Sequence, residues 1–218
     1  MPSPDVSLVI VSRNRPQSLR RLLISLRFLH YRHFEAVVVS ADNPRRDFSD
    51  IPGIERVRFV PLDEANIARA RNHGIRFSAG EIVAFCDDDA VPEPTWLDHL
   101  TQPFLEPRVG AAGGYVRGRN GISFQWRAGT FDRFGSRSEI ELASDEPVIL
   151  SGDATTGIKT EGTNCAFRRK ALVELGGFDE NFRYFLDETD MNYRLGLAGW
   201  KTAIVPRAQV HHSYMANS

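Results

Sequence analysis

Three consecutive aspartates, Asp87, Asp88 and Asp89, stand in FCDDDAVPEP between an apolar run and a proline-punctuated segment. Adjacent carboxylates repel, so the triplet costs stability unless it is solvated as a turn or meets a cation. Hard divalent ions such as Mg²⁺ and Mn²⁺ prefer carboxylate oxygens and keep positions open for phosphate oxygens, which suits a metal–diphosphate site. A solvated turn ahead of Pro92 and Pro94 is the other reading, and the position after an apolar run favours the metal.

A second acidic group, Asp187, Glu188 and Asp190 in FLDETDMNYRL, opens a predicted helix. Carboxylates there are stabilised by the helix dipole, so a structural role competes with that of a general base facing a crevice. The helical period lets one or two of the three face such a crevice. His211 and His212 lie on a predicted strand whose successive side chains point to opposite faces, so one of them at most can complete a metal site. Arg69, Arg71 and Asn72 in ARARNHGI lie on a predicted helix, where guanidinium forks match phosphate oxygens but equally suit a solvated surface.

The elements that would position these groups follow from apolar periodicity. VSLVIVS (Val6 to Ser12) reads as a strand buried on both faces, and the next segment repeats Leu19, Leu22, Leu23 and Leu26 at helical spacing behind Pro16. FEAVVVSA (Phe34 to Ala41), VRFVP (Val57 to Pro61) and EIVAFC (Glu81 to Cys86) are further strands, with a helix in EANIARARNHGIRFSAG closed by Gly80. Strands alternating with helices predict an α/β chain, a Rossmann-like, mostly parallel sheet with helices on both faces. Ligands of such sheets bind beyond the carboxyl ends of the strands, where both Asp42 and the triple aspartate fall. After Val109 a stretch rich in Gly, aromatics and Arg predicts an irregular half of short strands and loops. RRKALVELGG and DETDMNYRLGLAG predict helices ended by Gly176 or Gly177 and by Gly199, and WKTAIVP and AQVHH predict two closing strands.

With 27 Lys plus Arg against 28 Asp plus Glu, the chain is not a general nucleic-acid binder, so function must reside in specific pockets. Cys86 and Cys165, both in apolar settings, argue against a disulfide framework and for a reducing compartment. No apolar run is long enough to span a bilayer and no secretory signal precedes Val6, so the expected location is cytoplasmic. The basic residues Arg20, Arg21 and Arg27 leave room for peripheral contact with the inner face of a membrane.

Taken in order, VSLVIVSRNRPQSLRRLLISL, ARARNHGIRFSAGEIVAFCDDDAVPEPTWL, GTNCAFRRKALVELGGFDENF and DETDMNYRLGLAGWK resemble the family 2 inverting glycosyltransferases of the GT-A fold. The resemblance is collinear from about Val6 to His212. It implies a nucleotide-sugar-binding half, residues 1–112, and an acceptor-binding and catalytic-base half, 113–218. It further implies a nucleoside diphosphate sugar donor, UDP-sugar favoured, a sugar, glycan or lipid-linked acceptor, and Mn²⁺ or Mg²⁺. Ser12, Asn14, Asp42, Arg71, Asp87 and Asp88 would then bind the nucleotide, Asp89 and His212 the metal, and Trp96, Gly162, Thr163 and Asn164 would line the sugar and acceptor cleft. The family's Asp-Asp-Gly-Ser loop reads Ala41-Asp42-Asn43 here, and its Glu-Asp pair reads Asp187-Glu188, so the base is Glu188 or Asp187, with Glu188 favoured by alignment. A catalytically inactive module of the same fold that only binds nucleotide or sugar is the alternative, set against by the joint presence of metal aspartates, histidine and an acidic helix start. A nucleotidyltransferase would want a Gly-rich phosphate loop that SRNRPQS does not supply.

Overall fold

The structure, a computed structural model, describes residues 5–41, 48–62 and 64–213. Val6–Ser12 (β1) projects Val6, Leu8 and Ile10 to one side and Val9 to the other, and both sides are buried. It pairs in parallel with Phe34–Ser40 (β2) and Ile82–Phe85 (β4), and β2 pairs in parallel with Val57–Pro61 (β3). On one face Pro16–Ser25 (α1) and Trp96–Thr101 (α3) pack Leu19, Leu22, Leu23, Leu97 and Leu100 against Leu8, Ile10 and Val38. On the other, Ile67–Arg76 (α2), Arg169–Glu174 (α4) and Asp187–Leu197 (α5) bring Ala70, Leu172, Met191 and Leu195 against Val9, Val37 and Phe85. Each fully buried Leu or Val contributes about 1.5–3 kcal/mol relative to exposure, so both faces hold the helices firmly.

The later half returns to the same sheet. Its strands are Ala90–Pro92 (β5), Val109–Arg117 (β6), Phe124–Trp126 (β7), Val148–Ser151 (β10), Cys165–Arg168 (β12) and Lys201–His212 (β13), in the order β10-β13-β6-β12-β4-β1-β2-β3 with β5 on β13 and β7 on β6. Gly129–Asp132 (β8), Arg137–Glu139 (β9) and Thr156–Lys159 (β11) form a separate three-stranded antiparallel sheet. Because β12 is antiparallel to both β4 and β6, and β13 is parallel to β6, direction is restored at β6 and β13. The carboxyl ends of β1, β4 and β13 therefore share one rim, which carries Ser12, Asp87 to Asp89 and His212.

Several expectations are corrected in detail. The helix expected up to Gly80 ends at Arg76, having begun where Asn66 accepts the Arg69 backbone N–H at 3.0 Å. Gly176, Gly177 and Gly199 do end helices, with φ of 76°, 80° and 76°. The two closing strands are one, β13, whose register slips between Val205 and Gln209, around Pro206, which has no N–H to offer a ladder. The region expected to be irregular holds β6, nine residues in the middle of the sheet. After Val109 its GAAGG stretch carries no β-branched signal, and neighbours press on its glycines: a Cβ on Gly110 would lie 2.8 Å from the Trp200 Cβ, and one on Gly113 2.6 Å from Thr160. Among the described residues no helix is long and apolar enough to cross a membrane, and both cysteines are free and buried.

Candidate active site

A cavity of about 460 Å³ opens on the shared rim, lined by Ser12, Arg15, Arg71, Asp87, Asp88, Asp89, Gly162, Thr163, Asp187, Glu188 and His212 among others. The burial of β4 drives the aspartate triplet to this position, and the three carboxylates then diverge. Asp88 turns inward, 3% exposed, and accepts the Ser12 hydroxyl at 2.7 Å and an Arg15 N–H at 3.2 Å. Burial pushes its carboxyl up to about 6, against the pull of Ser12 and Arg15. Asp87 and Asp89 face the opening, where with His212 they offer ligand atoms within 4.8 Å of one another.

Two carboxylates and an imidazole fit a hard or borderline divalent cation such as Mn²⁺ or Mg²⁺. His212 Nδ1 meets Gln125 Oε1 at 3.0 Å, and a proton on Nδ1 leaves Nε2 aimed at Asp89 Oδ1, also 3.0 Å away. Burial opposes charge on His212, but the adjoining Asp89 outweighs it and raises the imidazole pKa. Arg15 Nη1 donates to the other oxygen, Asp89 Oδ2, at 2.9 Å, so a guanidinium guards the acidic cluster. His211 points away and meets Glu93 at 3.2 Å, as the strand alternation requires.

Across Arg71 lies the second acidic group. The Arg71 guanidinium is 3% exposed, stacks 5.5 and 5.6 Å from the Phe85 and Phe178 ring centroids, and donates to Asp187 Oδ2 at 2.5 Å. It stands 3.9 Å from both Asp87 and Glu188, and so links the two carboxylate groups electrostatically. Gly162 makes this position available, since a Cβ there would sit 2.3 Å from Arg71 Nη2. Asp187, 1% exposed, is pushed up to about 6 by burial, with the Arg71 charge opposing and Glu188 adding to the rise. Glu188 is also desolvated, yet Arg71 and Lys159, whose Nζ is 3.3 Å from Glu188 Oε1, hold its carboxyl below the usual range. Glu188, its side chain 12% exposed against 2% for Asp187, is the more accessible member of the pair. Asp190 turns away and pairs with Arg194 at 2.6 Å.

Not every residue expected at the cleft is there. Trp96 is fully buried and donates its indole N–H to Asn164 Oδ1 at 2.7 Å. Asn164, equally buried, donates to the Tyr115 and Ala208 carbonyls at 2.9 and 2.8 Å. Both knit α3, β6 and β13 together behind the site, whereas Gly162 and Thr163 line it. Asn14 is exposed with φ 57°, a left-handed turn between β1 and α1, and is not among the cavity's lining residues. Arg69 pairs with Glu64 and Glu180, and Asn72 both donates to and accepts from the Phe178 backbone, so each braces a loop. Asp42 lies outside the described residues.

Sequence reasoning overlooked Arg15, Lys159, Glu161 and Gln125, and did not assign Asp87 to the metal group. The lysine within the TGIK strand was the one available signal, since a charged residue ending a buried strand needs a partner. Tyr184 and Phe185, 66% and 72% exposed with ring centroids 4.3 Å apart, rim the opening just before the acidic pair.

Comparison with known proteins shows the family and the fold. The sequence model of glycosyl transferase family 2 matches residues 7–176. The chain is similar to the pre-mycofactocin glycosyltransferase of Mycobacterium tuberculosis, 29% identical over 96% of this chain and 43% of that protein. It is also similar to the O-antigen biosynthesis protein RfbC of Myxococcus xanthus, 27% identical over 96% of this chain and 17% of that protein. It thus spans less than half the length of either. Among solved structures, GalNAc-T7 with UDP, GalNAc and Mn²⁺ superposes with a TM-score of 0.80 at 18% identity, over 99% of this chain and 45% of that one. The mannosyltransferase PcManGT of Pyrobaculum calidifontis, with GDP-Man and Mn²⁺, gives 0.72 at 19% identity, over 99% and 59%. The fold is the GT-A fold.

Proposed function

Since the chain belongs to glycosyl transferase family 2 and is a glycosyltransferase, we propose that it is metal-dependent and inverting, moving a sugar from a nucleoside diphosphate to an acceptor hydroxyl in glycan or polysaccharide biosynthesis. The observation that carries this reading is a metal-type donor set, Asp87, Asp89 and His212, sharing one cavity with an ionised carboxylate, Glu188. A pure binding module has no use for the second. UDP is the favoured nucleotide, supported by the UDP in the GalNAc-T7 structure and set against by the GDP-Man in the mannosyltransferase.

Asp87, Asp89 and His212 would hold a divalent cation, which when bound would supply positive charge to neutralise that of the diphosphate. The chain's own residues do the rest. Glu188 is the base rather than Asp187, because the Asp187 carboxylate is buried and tied to Arg71. Glu188 Oε1 already accepts from Lys159 and, at 3.2 Å, from the Thr189 hydroxyl, so Oε2 takes the acceptor's proton as that oxygen attacks the anomeric carbon from the face opposite the diphosphate. Such assistance contributes about 10²–10⁴-fold in rate. Asp88, locked by Ser12 and Arg15, acts by holding the triplet's backbone in place. We place the reaction in the cytoplasm, with peripheral membrane contact where the acceptor is lipid-linked.

The test is a thermal-shift panel of UDP, GDP, dTDP and CMP with and without Mn²⁺ or Mg²⁺, followed by an assay for nucleoside diphosphate released from the matching sugar nucleotides. A metal-dependent shift with one diphosphate and release by wild type but not E188Q are expected. No shift with any nucleotide would sink the metal-dependent donor site, and shifts without any release would favour the binding module.

A further inference from the structure

Of Lys159, Lys170 and Lys201, Lys159 alone is buried, at 1% exposure, and it does not line the cavity. Taking an ammonium out of water costs several kcal/mol unless it is paired, so its partners explain its presence. Nζ meets Glu161 Oε1 at 2.9 Å and Glu188 Oε1 at 3.3 Å, lies 3.5 Å from the Thr160 carbonyl, and stands 5.3 Å from the Trp126 ring centroid. Neutralisation alone would need one carboxylate, and Glu161 is the nearer. The second contact reaches from β11 to the first turn of α5, on the oxygen that Thr189 also meets. Glu188 Oε2 lies 3.9 Å from Arg71, beyond hydrogen-bond reach, and the adjoining Asp187 carboxyl also hydrogen-bonds to Glu188.

We propose that Lys159 is the positioning residue of the catalytic base, clamping Glu188 through Oε1 so that Oε2 is presented, ionised, to the acceptor hydroxyl. This rests on the reading of Glu188 as the base. The charged and titratable groups around Glu188 are Lys159 from β11 with its other partner Glu161, Arg71 from α2, Asp187 beside it on α5, Asp87 from the turn after β4, and the Cys165 thiol of β12, which burial keeps neutral. The two aspartates oppose ionisation and the two cations favour it. Arg71 exerts the larger pull through space but hydrogen-bonds Asp187 at 2.5 Å, which makes Lys159 the cation within hydrogen-bond reach of Glu188. A lysine suits the task because its compact charge fits between two carboxylates and the Trp126 ring, where a guanidinium fork is larger.

The decisive measurement needs no substrate. Carboxyl ¹³C titration of glutamate-labelled protein, with E188Q to assign the signal, follows Glu188 in wild type and K159M. An upward shift of about 1–3 pH units is expected on removing an opposite charge at this distance. An unmoved midpoint would overturn the proposal. If K159M does not fold, because Glu161 and Glu188 lose their shared cation, the same comparison is made between E161Q and K159M/E161Q. With a donor in hand, kcat of K159M should fall about tenfold or more at pH 7 with its acid limb displaced upward and donor KM within about twofold. A KM that rises while kcat and the acid limb stay fixed would also refute the role. Failure of the underlying reading looks different: E188Q would then retain full transfer, whatever the titration of K159M.

Discussion

Replacing Arg71 by methionine would remove the cation from a buried pair and leave Asp187 without its partner. Asp187 titrates at about 6 in the folded protein against an ordinary value of 3.8, so its burial already costs stability at neutral pH, and Arg71 limits that cost. The sign follows: a carboxyl whose folded pKa is raised favours folding below the unfolded value and loses that contribution as pH rises through the folded one. In R71M the folded pKa rises further. At pH 8 the added penalty is bounded by the cost of keeping a proton some two units above the wild-type pKa, at ~1.4 kcal/mol per unit, or ~3 kcal/mol in all. That figure falls within the ~3–5 kcal/mol typical of breaking a buried ion pair, and for a chain of this size corresponds to a Tm lower by about 6–12 °C. At pH 5 wild-type Asp187 already holds its proton, so the loss of packing between Phe85 and Phe178 and of the Arg71 charge beside Glu188 should remain, without the Asp187 contribution. Urea unfolding of wild type, R71M and R71M/D187N at both pH values measures this. R71M/D187N should recover the pH-dependent part. A loss equal at pH 5 and pH 8, or a second substitution that deepens it at pH 8, would refute the account of Asp187 as a buried carboxyl neutralised by Arg71.

Other substitutions separate positioning from contact. G162A would push a Cβ to within 2.3 Å of Arg71 Nη2, and overpacking of this kind should cost about 1–3 kcal/mol in urea unfolding, together with weaker donor binding by calorimetry. D89N should lower Mn²⁺ affinity in calorimetry about tenfold or more, whereas D88N, which disturbs the Ser12 and Arg15 contacts instead, should lower stability with a smaller effect on the metal. W96F leaves Asn164 Oδ1 without its donor and should cost about 1–3 kcal/mol in unfolding, with donor KM unchanged.

The periods of the apolar residues sufficed to locate β1 to β4, α1, α2 and α5, because each of these elements buries a face and must repeat at 2.0 or 3.6 residues. They failed for β6, whose Gly110 and Gly113 are demanded by Trp200 and Thr160 pressing on it from elsewhere in the chain. The aspartate triplet, the acidic helix start and the histidine pair were legible as chemistry, since charge concentrated at the ends of apolar segments stands out in one dimension. Their division of labour was not. That Asp87 joins Asp89 and His212, that Asp88 turns inward to Ser12, and that Arg71 reaches Asp187 across 116 residues depend on where separate elements cross. The same holds for Trp96, which the family resemblance put at the sugar and acceptor cleft and whose N–H instead meets Asn164 in the core. By itself the sequence determined which groups could bind a metal or move a proton and on which rim of the sheet they emerge. Only tertiary packing decided which oxygen of which carboxylate is free, because hydrogen bonds and burial are set by neighbours distant along the chain.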